Sequence, residues 1–163
     1  MTVSHTTRAP RPGERDGEHY HFVTPEAFER ALAEGAFLET AMVHGARYGT
    51  PKDQVEQAIA AGDTIVLEID VQGARAVRAA YPDALLVFVE PPSWEVLELR
   101  LSARATESPE ALAVRLANAR AEVAAAPEFD HRIVNADLDD AVSQLIGIIE
   151  GSSGPSAGSP PKE

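Results

Sequence analysis

The stretch at residues 4–23 has the sequence SHTTRAPRPGERDGEHYHFV, an Arg/Pro/Gly-rich loop that leads into a short strand predicted at His19–Val23. Arg8 and Arg11 lie close together in this loop, within an acidic chain. Arginine presents a planar fork of N–H donors that fits phosphate oxygens, so the pair suggests a local anion site. On charge alone, two arginines solvated at the surface remain the favoured interpretation.

Helix and strand patterns alternate from this stretch to the end of the chain, which predicts an α/β fold. Thr24 and Pro25 are typical of a helix start, and Gly35 stands where that helix ends. Thr50, followed by Pro51, repeats the capping pattern for a helix ending near Gly62. The other expected helices are Val71–Ala80, Ser93 to near Arg104, Ser108 to near Ala125, and Leu138–Ile149.

The strands are expected mainly where apolar residues run together or alternate. Thr64–Ile69 is a nearly unbroken apolar run, which is typical of a buried parallel strand. With the helix that follows and a strand at Leu85–Val89, it predicts a βαβ unit. Further strands are expected at Phe37–Val43, at Arg47–Gly49 after a turn at 44–46, and at Arg132–Val134.

Composition limits the possible partners of the chain. Its 163 residues have a net charge of −12, which argues against nucleic-acid binding because a polyanion requires a basic surface. It has no cysteine, and no apolar run approaches the length of a membrane helix. The N-terminus carries no charged-then-apolar leader, so we expect a cytoplasmic location without membrane contact. Nothing in the composition indicates an oligomeric state.

Two nucleotide-binding motifs do not occur in this sequence. A phosphate-binding loop of the form GxxxxGK[ST] needs a Gly-Lys pair, but Lys52 follows a proline and Lys162 lies in the C-terminal tail. No GxGxxG occurs either, which removes the dinucleotide fingerprint. The residues alone therefore predict an α/β protein without a recognisable triphosphate-binding loop.

The stretch at 4–23 closely resembles the signature of guanylate kinases, and the resemblance continues in order over residues 2–149. It is carried by GAFLE at 35–39, YGT at 48–50, LEIDVQGA at 67–74, PPS at 91–93, RL at 100–101, RAT at 104–106, RL at 115–116 and VNADL at 134–138. Two departures are Ala105, where the family usually has glycine, and Thr40, where it commonly has tryptophan.

The resemblance implies a P-loop kinase core, a parallel sheet that here would be incomplete at its N-terminal side. The guanylate kinase-like domain would cover residues 1–150, with a small α+β GMP-binding subdomain at 5–63 and a helical lid at 97–122. The tail, 151–163, is rich in Gly, Ser and Pro and is expected to be disordered. The family's first strand, phosphate loop and following helix are expected to precede Met1.

The resemblance also assigns roles in binding GMP. Arg8, Arg11, Tyr20 and Tyr48 match residues that hold its phosphate, and Glu39 matches the carboxylate that recognises guanine by accepting from N1–H and the exocyclic amino group. Ser4, Thr50 and Asp70 match the other base contacts.

The ATP side of the reaction is assigned in the same way. Arg104 and Arg115 match lid arginines that bind the triphosphate and stabilise charge during transfer, and Asn135 matches a position beside adenine. Glu68 matches a catalytic acid near Mg²⁺, and the alternative for it is a carboxylate that only ends a strand. The expected substrates are GMP and ATP, with Mg²⁺ as cofactor.

Two alternatives stay open on the sequence. His19, His21 and His44 could form a metal site, although they lack acid or cysteine partners at metal spacing and fit rim positions better. For the function, the first hypothesis is phosphoryl transfer from ATP to GMP within purine nucleotide metabolism. The second is a catalytically inactive GMP-binding or protein-interaction module, because the phosphate loop is missing; on that ground, this polypeptide as given is expected to be inactive.

Overall fold

The computed structural model describes residues 2–43, 45–103 and 109–152. The chain divides into two compact units, Met1–Pro82 and Asp83–Glu163. The expectations for Arg104, for the turn residue His44 and for the tail beyond residue 152 lie outside the described residues.

The first unit is built on a four-stranded sheet with the strand order β2-β1-β4-β3. Strand β1 pairs in parallel with β2 and antiparallel with β4, and β4 pairs antiparallel with β3. The strands are β1 (His5–Thr6), β2 (His21–Phe22), β3 (Phe37–Val43) and β4 (Ala46–Pro51). The two longest strands pair where the sequence predicted two strands joined by a turn. Strand β3 has the expected bounds, and β4 is longer than the predicted Arg47–Gly49.

Three helices belong to this unit: α1 (Pro25–Ala33), α2 (Lys52–Ala60) and α3 (Val71–Ala80). The Thr24 hydroxyl accepts a hydrogen bond from the Ala27 N–H and caps α1 as predicted. Gly35, which follows α1, has a φ of 69°, a conformation that glycine adopts without strain. Helices α2 and α3 both pack on β3, and α3 has the predicted bounds.

Phe28 anchors the core of the first unit and is fully buried. Its ring stacks on that of Phe37, with centroids 4.6 Å apart. Gly49 of β4 faces this pair, and a Cβ there would lie 2.8 Å from Phe37 Cδ1. The close approach of the aromatic pair to β4 therefore requires a glycine at this position.

Two local predictions for this unit are wrong. Thr50 does not cap α2: the cap position is Pro51, and Thr50 lies in β4 with its hydroxyl engaged elsewhere. Thr64–Ile69 forms no strand, because no segment among the described residues pairs with it, and an unpaired strand would leave its backbone groups unsatisfied. The predicted βαβ unit is thus present only as α3 followed by a strand.

The second unit contains the parallel pair β5 (Val87–Glu90) and β6 (His131–Val134), near the positions that the sequence predicted. Its helices are α4 (Trp94–Ala103), α5 (Pro109–Ala124) and α6 (Leu138–Ser152), with a short 3₁₀ turn at Ala126–Glu128. Ile133 of β6 is 1% exposed and forms the centre of its core, against which α6 packs. No helix among the described residues is long and apolar enough to cross a bilayer.

Candidate functional site

Arg8 stands at the centre of a polar cluster beyond the end of β1. Its Nε donates to the Tyr48 hydroxyl at 3.1 Å, and its two terminal nitrogens donate to the Glu14 carboxylate at 3.0 and 2.8 Å. The guanidinium also lies over the Tyr20 ring, 5.5 Å from its centroid. The structure therefore brings together three of the four residues expected to bind phosphate, because β1 and β4 are paired beneath them.

Arg11, the fourth, is exposed in the same loop. Its backbone N–H donates to Glu14 Oε2 at 2.6 Å, so one carboxylate ties both arginine positions together. The Arg8 guanidinium, followed by the Arg11 N–H, lowers the pKa of Glu14 to about 2. Sequence reasoning gave Glu14 no role; its position three residues after Arg11 in an arginine-containing loop was the available signal.

A second cluster surrounds Glu39 of β3, which is 7% exposed. The Thr50 hydroxyl donates to Glu39 Oε1 at 2.5 Å across the β3–β4 pair. Burial raises the pKa of Glu39, the Thr50 hydrogen bond opposes that shift, and the nearby charge of Asp70 adds to it. The structure thus places a buried carboxylate, held by Thr50, close to a second acid.

Asp70 is the N-cap of α3, and its carboxylate accepts from the Gly73 N–H at 2.8 Å. Ser4 directly precedes β1, and its carbonyl accepts a hydrogen bond from the His21 N–H at 2.9 Å. Of the predicted base-contacting residues, Glu39, Thr50 and Asp70 therefore lie together beside the N-terminus of α3.

Glu68 is exposed, in the irregular segment before α3. The pKa of Tyr20 is raised by burial first and then by the charge of Glu68, so this carboxylate lies within electrostatic range of Tyr20. Among the described residues no group of three or more His, Cys, Asp or Glu side chains could hold a metal ion. This gives no support to the histidine metal site; the His5 and His21 rings instead lie in contact, with centroids 4.7 Å apart.

The residues expected on the ATP side lie in the second unit. Arg115 is half-buried on α5, and Asn135 directly follows β6, where its carbonyl accepts from Arg100 Nη2 at 3.1 Å. Arg120 of α5 covers the Trp94 ring at 4.8 Å. Arg104 lies outside the described residues.

A cavity of about 400 Å³ also occurs in the first unit, between the end of α1 and the start of α2. It is lined by His5, Phe37, Lys52, Asp53 and Glu56 together with small residues, and it contains none of the residues expected to bind GMP. The polar clusters around Arg8 and Glu39 are the stronger candidate, because they assemble an anion-binding fork and a buried carboxylate.

Comparisons with known proteins place the chain in a family. The guanylate kinase family model matches residues 1–152. The chain is 51% identical to the guanylate kinase of Mycobacterium sp. (strain MCS), over 99% of this chain and 81% of that protein, and 50% identical to that of Thermobifida fusca, over 94% and 78%. Its structure matches the crystal structure of guanylate kinase from Anaplasma phagocytophilum with a TM-score of 0.83 and 31% identity, covering 96% of this chain and 77% of that one.

Proposed function

This chain belongs to the guanylate kinase family of ATP:GMP phosphotransferases, and we propose that it binds GMP across the Arg8 and Glu39 clusters of its first unit. The P-loop kinase-like fold expected from the sequence is confirmed by the match to a guanylate kinase crystal structure. One observation carries the assignment of the site: a buried carboxylate and an arginine fork contact neighbouring positions of the same strand, β4. Guanine and a phosphate group have the chemistry that these two clusters complement.

The phosphate group of GMP binds at Arg8, Arg11, Tyr20 and Tyr48. Arg8 has five N–H donors, and four of them are engaged by Tyr48, Glu14 and the Ala9 carbonyl, so one Nη2 N–H remains for the ligand. Arg11 supplies a second charge from the exposed side of the loop. In this arrangement Glu14 is a positioning residue, because it holds Arg8 in a fixed orientation.

Guanine binds at Glu39. Ionised, this carboxylate accepts from both N1–H and the exocyclic amino group, a pair of donors that adenine does not present. Adenine at this site would leave buried polar groups unpaired, and such sites can discriminate by about 10⁴-fold. Thr50 orients the carboxylate by its hydrogen bond, and Ser4 and Asp70 complete the base contacts.

Arg104, Arg115 and Asn135 contact ATP, the two arginines stabilising the charge that develops during transfer. Mg²⁺ accompanies ATP. A lone exposed carboxylate such as Glu68 fits this ion, which binds through one or two protein carboxylates and otherwise keeps water and phosphate oxygens. When bound, Mg²⁺ would neutralise phosphate charge. The proposed role of Glu68 is to hold this ion near the GMP phosphate.

We assign residues 5–63 to the GMP-binding subdomain and 97–122 to the lid, and we place the reaction in the cytoplasm, within purine nucleotide metabolism. The binding assignment is tested by calorimetric titration of the chain with GMP, AMP and guanosine. We expect GMP to bind, AMP to bind far more weakly, and guanosine to lose the phosphate contribution. Equal binding of GMP and AMP, or none of either, would contradict the site.

The transfer itself is tested by ADP formation from ATP and Mg²⁺ with and without GMP. Membership of the guanylate kinase family favours an active kinase over the inactive polypeptide expected from the sequence alone. We therefore expect ADP formation to depend on GMP and to fall when Arg115 is replaced by alanine. GMP binding without any ADP formation would instead favour a GMP-binding module without turnover.

A further inference from the structure

We propose that Gly73 is a specificity-determining position, because the Glu39 carboxylate occupies the space that any side chain at residue 73 would need. This inference rests on the proposed binding of guanine by Glu39. Gly73 is buried at the third position of α3, where it donates its N–H to Asp70. It takes part in the site only through its backbone.

The atom nearest to a Cβ at residue 73 belongs to Glu39. A Cβ on Gly73 would lie 2.8 Å from Glu39 Oε2 and 3.2 Å from Glu39 Cδ, with Ile69 Cβ at 3.1 Å. Carbon and oxygen atoms do not approach this closely without bonding, so one of the neighbours has to move. The carboxylate is the mobile end of a flexible side chain, whereas Ile69 Cβ is fixed to the backbone. Glu39 is therefore the group displaced.

Displacement of the Glu39 carboxylate affects both of its oxygens. Thr50 holds Oε1 at 2.5 Å, and Oε2 is the oxygen that faces Gly73. Moving the carboxylate away from α3 therefore breaks the Thr50 hydrogen bond or turns Oε2 from its position. Either change misplaces the two acceptors relative to the edge of guanine.

Glycine is otherwise a poor choice at this position. In a helix it lowers stability relative to alanine, so its presence in the first turn of α3 calls for a local cause. Its φ is not in the left-handed region, which removes a backbone requirement as that cause. Space for the Glu39 carboxylate, together with the close approach of Ile69 Cβ, accounts for it.

The test compares Gly73→Ala with Gly147→Ala, a helical glycine of α6 at which an added Cβ meets no atom within 4 Å. GMP and AMP affinities are measured by calorimetry on the full chain, together with the thermal midpoint. We expect Gly73→Ala to weaken GMP binding by about 10- to 100-fold, the loss that follows when one hydrogen bond to a charged group is broken, while AMP binding and the midpoint stay close to the wild type. Gly147→Ala should leave the preference for GMP unchanged.

A double-mutant cycle assigns the effect to Glu39. Glu39→Asp shortens the side chain and withdraws the carboxylate from Gly73, so in that background we expect Gly73→Ala to cost no further GMP affinity. Multiplicative losses, or an unchanged preference for GMP in Gly73→Ala, would overturn the proposal. If the wild type itself shows no preference for GMP over AMP, the proposed function is wrong. If the wild type prefers GMP and Gly73→Ala keeps that preference, only the role of Gly73 is wrong.

Discussion

Tyr48 and Thr50 lie two residues apart on β4, so their side chains leave the same face of the strand. The Tyr48 hydroxyl accepts from Arg8, and the Thr50 hydroxyl donates to Glu39. The two positions are separated by about 7 Å of extended backbone. A single strand therefore sets the spacing between the Arg8 cluster and the buried Glu39 carboxylate. A slip of one residue in its pairing would turn both hydroxyls to the opposite face of the sheet.

Removing the Tyr48 hydroxyl and removing the Thr50 hydroxyl should affect binding of different parts of the ligand. Tyr48→Phe takes away a phosphate contact and the partner of Arg8 Nε, so we expect GMP to bind more weakly by about 1.5–3 kcal/mol while guanosine is unaffected. Thr50→Val should weaken GMP and guanosine alike, because it frees the Glu39 carboxylate. Calorimetry with both ligands measures this, and a loss of guanosine binding in Tyr48→Phe would contradict the separation of the two parts.

Glu39→Gln should raise stability and abolish the preference for guanine. Burial raises the pKa of Glu39, so between the unfolded value and the folded value the folded state holds the extra proton. The free energy of unfolding therefore falls as pH rises from the unfolded to the folded pKa of Glu39, and it stays lower at higher pH. We expect the variant to melt higher than the wild type near neutral pH, with the difference vanishing below about pH 4.5. An equal or lower thermal midpoint near neutral pH would contradict a destabilising charge.

The affinity for GMP should decrease on acidification through the raised pKa of Glu39, because the protonated carboxyl no longer accepts two hydrogen bonds. The GMP phosphate takes up its own proton near pH 6, which also weakens binding. Glu39→Gln removes only the first contribution, so the wild-type profile should fall more steeply than that of the variant. Parallel profiles would show that Glu39 does not titrate with binding.

Glu14→Gln should weaken GMP binding by about 10-fold, because Arg8 stays in the site without the charged hydrogen-bond partner that orients it. The matched control is Glu18→Gln in the same loop, which breaks only an exposed ion pair with Arg15. Since the pKa of Glu14 is about 2, its carboxylate stays ionised and the effect should be constant above about pH 5. Tighter binding of GMP by Glu14→Gln would show that the carboxylate competes with phosphate.

The elements that sequence predicted best are those with local signals. Thr24 caps α1, Gly35 follows it, and Val71–Ala80 is a helix at the predicted bounds. The failures depend on contacts far along the chain. Thr50 has the appearance of a helix cap, yet its hydroxyl is taken by Glu39, eleven residues away. Thr64–Ile69 has the composition of a strand but no described partner to pair with.

In the candidate site, too, some residues were identified from the sequence and others only from the structure. The residues proposed to bind phosphate and guanine were identified through the family resemblance. The structure assembles Arg8, Tyr20 and Tyr48 in one cluster and Glu39, Thr50 and Asp70 in another. The roles of Glu14 and Gly73 were not predicted, because they follow from distances that only the folded chain defines.

The most direct measurement of the account is a crystal structure of the chain with GMP. It should place the phosphate oxygens within hydrogen-bond distance of Arg8 and Tyr48, and the N1 and exocyclic amino groups of guanine on the Glu39 carboxylate. A ligand bound in the reverse orientation, or in the cavity between α1 and α2, would contradict it.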